Sequence, residues 1–330
     1  MGVTQPFPTP STPFSNTTLY IFLSHNQSLT HRLGPSQKRE PCELKVSDFA
    51  GTHYKLFCDP SSLNILTLNI SILDCKKLME NTPVKVYLDG AFPGCLQEKS
   101  EAGYDIEMRI DCDNVPKGCY WGSTGEEMAS ELSKIRLLIL GAAMEKSFTD
   151  FAASKGGDNK VTTITINNPT DNGAGKMYIV PRADRVIVVF SLDFPDNIDA
   201  ALCRIFLHEF VESQRSVNNA PPCNYSRGAE PPMELAGIAG INDTPEICGF
   251  LSFTIFTSQI STPVKLRNAV LHLMTLQDYL QYHIKATKTY MHMRMRGKVV
   301  DLLKVLNRAV QTSDEVKEKK TFAGKTFTRK

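Results

Sequence analysis

His208-Glu209-Phe210-Val211-Glu212 is the chain's nearest approach to a metalloprotease helix. In that motif, H-E-x-x-H sets two histidines one turn apart to hold zinc. Here Glu212 fills the fifth position and no third ligand follows, so these side chains read as the polar face of an amphipathic helix. A metallohydrolase centred on His208 and Glu209 stays open as a competing reading that bound zinc would decide. Asn172-Gly173-Ala174-Gly175-Lys176 looks like part of a phosphate loop, but Met177 and strand-like residues follow where Ser or Thr and a helix belong. A hairpin turn explains it better. Cys112 and Cys119 would share a metal only with two further ligands, and the spacing supplies none. Glu126 and Glu127 fit a solvated first helical turn, where carboxylates favour the helix dipole. No nucleophile elbow is present and the seven histidines do not cluster. The expectation is a chain that is not an enzyme, with no catalytic residue, cofactor or metal.

One element carries a functional signal instead. Thr262 to Val310 reads as an uninterrupted helix, with Thr262 as N-cap and Pro263 at the first helical position. At about 1.5 Å per residue such a helix is roughly 70 Å long, against about 50 Å for the diameter of a globule of this chain length. Leu276, Leu280, Ile284, Met291, Met295, Val299, Leu302, Leu306 and Val310 make one apolar stripe, while Val300 and Leu303 face another way. Met291, Met293 and Met295 read as packing material, with Met293 off the stripe. Residues 264–310 hold nine Lys/Arg against two acids, and the tail 311–330 adds six basic and three acidic residues. The whole chain is only +2, so the preceding residues are acidic on balance. This asymmetry points to an acidic partner for the C-terminal part. Nucleic acid is one such partner, although no base-reading motif accompanies the charge.

The remaining composition is ordinary. The 330 residues allow two domains, and 42% hydrophobic with 22% charged residues fits a globular chain. The longest apolar run, Ile135 to Met144, is short and broken by Arg136, so membrane insertion is not expected. Nine scattered cysteines without CxxC pairs fit reduced thiols in the cytoplasm.

The patterns divide the chain at residues 1–40, a Pro/Ser/Thr-rich leader with a possible helix at 18–33; 41–124; 125–261; the long helix 262–310; and the basic tail 311–330. Strands are expected at Glu43–Phe49, His53–Cys58, Leu63–Leu73, Val84–Leu88 and Tyr104–Asp111, with a short helix at Cys75–Glu80. A single helix is expected over Glu126–Ser154. Further strands follow at Val161–Ile166, Lys176–Val180, Asp184–Leu192 and Glu246–Thr257, with a helix at Asp196–Val217. The order of elements occurs twice. It predicts an α+β protein: two related α/β sandwich domains with largely antiparallel sheets covered on one face, plus the long C-terminal helix.

Particular residues give the chain a family likeness. Tyr279–Lys285, Arg294-Met295-Arg296, Asp301 with Leu303–Ala309, and Gly324–Phe327 closely resemble the family of subunit 2, the 34-kilodalton subunit, of the actin-related protein 2/3 complex. Met177-Tyr178, Asp184–Ser191, Glu209-Phe210, Glu230–Leu235 and Asp48–Gly51 agree. The resemblance spans residues 42–330 and is densest over the last hundred. It departs in the first forty residues and at Gly297, where relatives carry alanine.

The resemblance implies a non-catalytic scaffold of the cytoplasm and actin cytoskeleton, acting in branched actin nucleation. Its implied partners are subunit 4, the other subunits including both actin-related proteins, and the mother actin filament. The seam with subunit 4 then falls on Leu280, Ile284, Met291, Met295, Leu302 and Leu306. Filament contact falls on Arg294, Arg296, Lys298, Lys304 and Arg308, with Lys317, Lys319 and Lys320 from the tail.

Overall fold

Alternation builds the first sheet. In β1 (Cys42–Ser47) and β2 (His53–Cys58) every second side chain turns inward, burying Tyr54, Leu56 and Cys58 and leaving Lys45 and His53 outside. β3 (Ile65–Ser71) and β4 (Ile106–Asp111) complete an antiparallel sheet of order β1-β2-β3-β4. The computed structural model describes residues 33, 39–47, 51–72, 74–118, 122, 124–153, 161–168, 173–214, 216, 220–228, 230–236, 238, 241, 248–309, 319–320 and 326–327. The helix expected at 18–33 therefore lies outside the described residues, apart from Leu33.

Between β3 and β4 lie two short helices, α1 (Cys75–Asn81) and α2 (Val84–Ala91). The second replaces the strand expected at Val84–Leu88. Val-Lys-Val-Tyr-Leu alternates like a strand, but Val84, Leu88 and Ala91 bury together at helical spacing after Pro83. The helix expected over Glu126–Ser154 is two: α3 (Gly125–Leu132) and α4 (Ile135–Ala152). α3 opens on a capping box in which the Thr124 hydroxyl and the Glu127 carboxylate satisfy each other's backbone donors.

The second sheet is antiparallel, in the order β5-β6-β7-β9-β8. Its strands are β5 (Thr162–Asn168), β6 (Gly173–Pro181), β7 (Val186–Leu192), β8 (Cys223–Arg227) and β9 (Gly249–Ile255). Helix α5 (Asn197–Gln214) leaves from β7, and Asp196 accepts hydrogen bonds from the Ile198 and Asp199 amides at its start. Both sheets share a three-strand meander, a helical excursion and a return strand paired to the third, and the second sheet adds edge strand β8 before that return. The coverage differs from expectation. All seven residues of β7 are buried, because Leu235, Ile241 and half-buried Ile238 close over Tyr178, Val180, Ile187 and Val189 on the second face.

The long helix α6 runs Pro263–Ala309, with the Thr262 hydroxyl accepting from the Lys265 amide at 3.2 Å. It is continuous through Gly297, where an added Cβ would meet nothing within 4 Å. Gly297→Ala should therefore strengthen the helix by about 1 kcal/mol. Hydrogen exchange of amides 290–305 checks this, and unchanged protection would refute it. Lys319–Lys320 (β10) pair with Thr326–Phe327 (β11) in a small antiparallel ladder.

Candidate protein interaction surface

The first half of α6 belongs to the chain's own core. Leu266, Val270, Leu273, Met274, Leu280 and Ile284 are buried there. Helix α4 lies against them in the opposite sense: Arg136 reaches Asp278 at 2.6 Å, Gly141 faces Val270 and Met274, and Glu145 reaches Arg267 at 2.9 Å. Gly141 permits this close approach, since a Cβ there would sit 2.7 Å from Val270 Cγ1. The Arg267 guanidinium also binds the Glu131 carboxylate, which Lys134 reaches at 3.0 Å. On another side, Phe206 of α5 lies 6.4 Å from the Tyr279 ring and 6.3 Å from His283.

Beyond Lys285 the same helix has a different character. Every residue from Met291 to Arg308 is exposed. Among them Met295 is 59%, Leu302 58% and Leu306 52% exposed, with Met291 at 38%. Large apolar side chains held in water on a regular helix are the informative deviation from ordinary burial. Leu280 and Ile284 leave the expected seam, because the chain already buries them at 1% and 2% exposure. Along this stripe the exposed side chains start at Met291.

The expected cations are placed as follows. Arg294, Arg296, Lys298, Lys304 and Arg308 all lie exposed on α6. Arg294 stands over the Tyr290 ring at 5.8 Å, and Lys304 is 3.7 Å from Asp301. Lys319 and Lys320 form β10, and Lys317 lies outside the described residues. One cation of the basic helix turns inward: Arg267 is 6% exposed. Its spacing to Val270 and Met274, three and seven residues on, is a core spacing that the charge count hid. The sequence reading also passed over Tyr290 and Val305, which are 58% and 60% exposed.

The catalytic alternatives find little geometry. His208, Glu209 and Glu212 are exposed on α5, and no group of three or more His, Cys, Asp or Glu among the described residues could hold a metal ion. Gly173 to Lys176 begin β6, paired in register with β5, rather than leading into a helix. Burial pushes the Cys75 and Cys223 thiols up to about 12, and Cys95 and Cys112 up to about 11, away from nucleophilic thiolate. Cys203 and Cys248 hydrogen-bond each other, which raises the first thiol and lowers the second. Both are buried. No helix among the described residues is long and apolar enough to cross a membrane.

A stripe that is core in one half and bare in the other describes a component of something larger. Comparison with known families gives the same answer: the family model of the Arp2/3 complex 34 kD subunit, p34-Arc, matches residues 68–313. The chain belongs to the p34-Arc family. Among curated relatives, actin-related protein 2/3 complex subunit 2 of Dictyostelium discoideum is 32% identical over 283 residues, covering 85% of this chain and 89% of the relative. The protein of that name from Schizosaccharomyces pombe is 29% identical over 314 residues, covering 91% and 95%. The p34-Arc match begins within β3 and takes in β4, the whole β5-β6-β7-β9-β8 sheet and all of α6.

Proposed function

We propose that the chain is a non-catalytic scaffold subunit of the actin-related protein 2/3 complex, held through the exposed half of α6. Membership in the p34-Arc family supplies the assembly. The observation that carries the role is the run of exposed Met291, Met295, Leu302 and Leu306 on a helix whose earlier turns are core. In this reading residues 41–124 and 125–261 are two related domains that carry the helix. Subunit 4 covers the stripe from Met291 onward. Burying each such side chain is worth about 1.5–3 kcal/mol before the entropy of ordering is subtracted.

Cations supply a second contact. Arg294, Arg296, Lys298, Lys304 and Arg308, with Lys317, Lys319 and Lys320, face the acidic side of the mother actin filament in the cytoplasm. Charges at such a rim set association rate and salt sensitivity more than affinity.

Co-expression tests the reading. With subunit 4, the chain should purify as a soluble pair; Leu302→Asp with Leu306→Asp should abolish co-purification while the buried part of α6 stays folded. A chain that is monodisperse alone at micromolar concentration, and pairs no worse after that change, would sink it.

A further inference from the structure

The exposed half of α6 has two apolar faces. With Met291 taken as zero and about 100° per residue, Met295, Val299, Leu302 and Leu306 fall within about 80° of it. Leu303, Val300 and Met293 fall near 120°, 180° and 200°, about 80°, 140° and 160° from that stripe's centre. Both faces are bare: Met293 is 66%, Val300 45% and Leu303 57% exposed. One partner helix covers one stripe, so subunit 4 on the first leaves the second in water.

Charge identifies what covers it. Arg296 lies within this second face, between Leu303 and Val300 near 140°, and Lys304 borders it near 220°. Arg294 and Arg308 point to a third side, near 300° and 260°. Residues 285–309 hold seven Lys/Arg and one acid, so a second copy of the helix is repelled. The chain's own tail is also basic on balance, six cations to three acids, and is a poor cover for the same reason. We propose that Met293, Val300 and Leu303 dock an acidic amphipathic helix from a further polypeptide of the assembly, with Arg296 and Lys304 pairing its carboxylates. This rests on the scaffold reading and refines it, for it removes Arg296 and Lys304 from the filament set and leaves Arg294, Lys298 and Arg308 there.

Photo-crosslinking in the assembled complex tests the second face. The reactive residue p-benzoylphenylalanine is placed at Val300, or at Leu306 as a reference, and the captured peptides are sequenced. The Val300 probe should capture an acidic amphipathic stretch different from the subunit 4 peptide captured at Leu306. Capture of the same peptide, of this chain's own residues, or of nothing overturns the proposal. A Leu306 probe that misses subunit 4 while Val300 captures its acidic helix overturns the assignment of subunit 4 alone. Independently, Val300→Asp with Leu303→Asp should keep the pair with subunit 4 and weaken recruitment of the further polypeptide by about tenfold or more. Unchanged recruitment refutes the second face.

Discussion

Arg267→Ala should lower the free energy of unfolding by about 3–5 kcal/mol, the range for removing one partner from a buried ion network. Arg267 and Glu131 side chains are each 7% exposed, and Glu145 is 2% exposed. Water screens such a network little, so the surface discount does not apply. Without the guanidinium, the Glu145 carboxylate loses the cation 2.9 Å away, while Glu131 keeps only Lys134 at 3.0 Å. The loss also removes the ion pairs that link α6 to α3 and α4 at this end, leaving Arg136–Asp278 further along the α4 contact. Guanidinium titration gives the number, with the slope checked to show that the compact state is unchanged. A triple variant, Arg267→Met with Glu131→Leu and Glu145→Leu, should recover much of the loss, because a buried ion network exchanges well for apolar packing. If Arg267→Ala costs less than about 1 kcal/mol, the network is not what anchors the helix.

Gly125→Ala should cost about 2–5 kcal/mol, in the range of a core leucine lost. A Cβ at Gly125 would overlap the Leu33 carbonyl oxygen and lie 2.7 Å from the Leu33 Cβ, so one of the two residues must move. Gly125 is fixed within a capped helix start, whereas Leu33 is held by its own burial at 3% exposure. The expected outcome is ejection of Leu33 from the core, with the loss read by guanidinium titration. Leu33→Ala provides the control. If both changes act by removing the same contact, their double variant costs little more than either alone. Simple addition of the two losses would show that Gly125→Ala acts elsewhere.

Much of the fold was legible because periodicity and capping agreed. Thr262-Pro263 announced α6, and His53–Cys58 announced β2, since both patterns have a single consistent reading. Val84–Leu88 misled because Val-Lys-Val-Tyr-Leu satisfies period two as well as the helical spacing that tertiary packing selected. The division of Glu126–Ser154 leaves no mark on hydrophobicity; it follows from folding α3 back so that Glu131 and Glu145 both meet Arg267. β8 was missed because Cys-Asn-Tyr-Ser-Arg after two prolines reads as loop, and an edge strand needs only one apolar neighbour. For the surface, sequence gave the stripe and the charge. Only coordinates could show where the stripe stops being core, since Leu280 and Leu302 are indistinguishable in a one-dimensional pattern.

The exposed turns of α6 follow both larger sheets in the chain, so they leave the ribosome after the residues that build those sheets. The growing chain therefore displays this apolar surface only after the strands that precede it have been made. Surplus copies without a binding mate remain sticky, and chaperones and proteases remove such species continuously. In the scaffold role proposed above, the steady level of this polypeptide should then follow that of its scarcer companion.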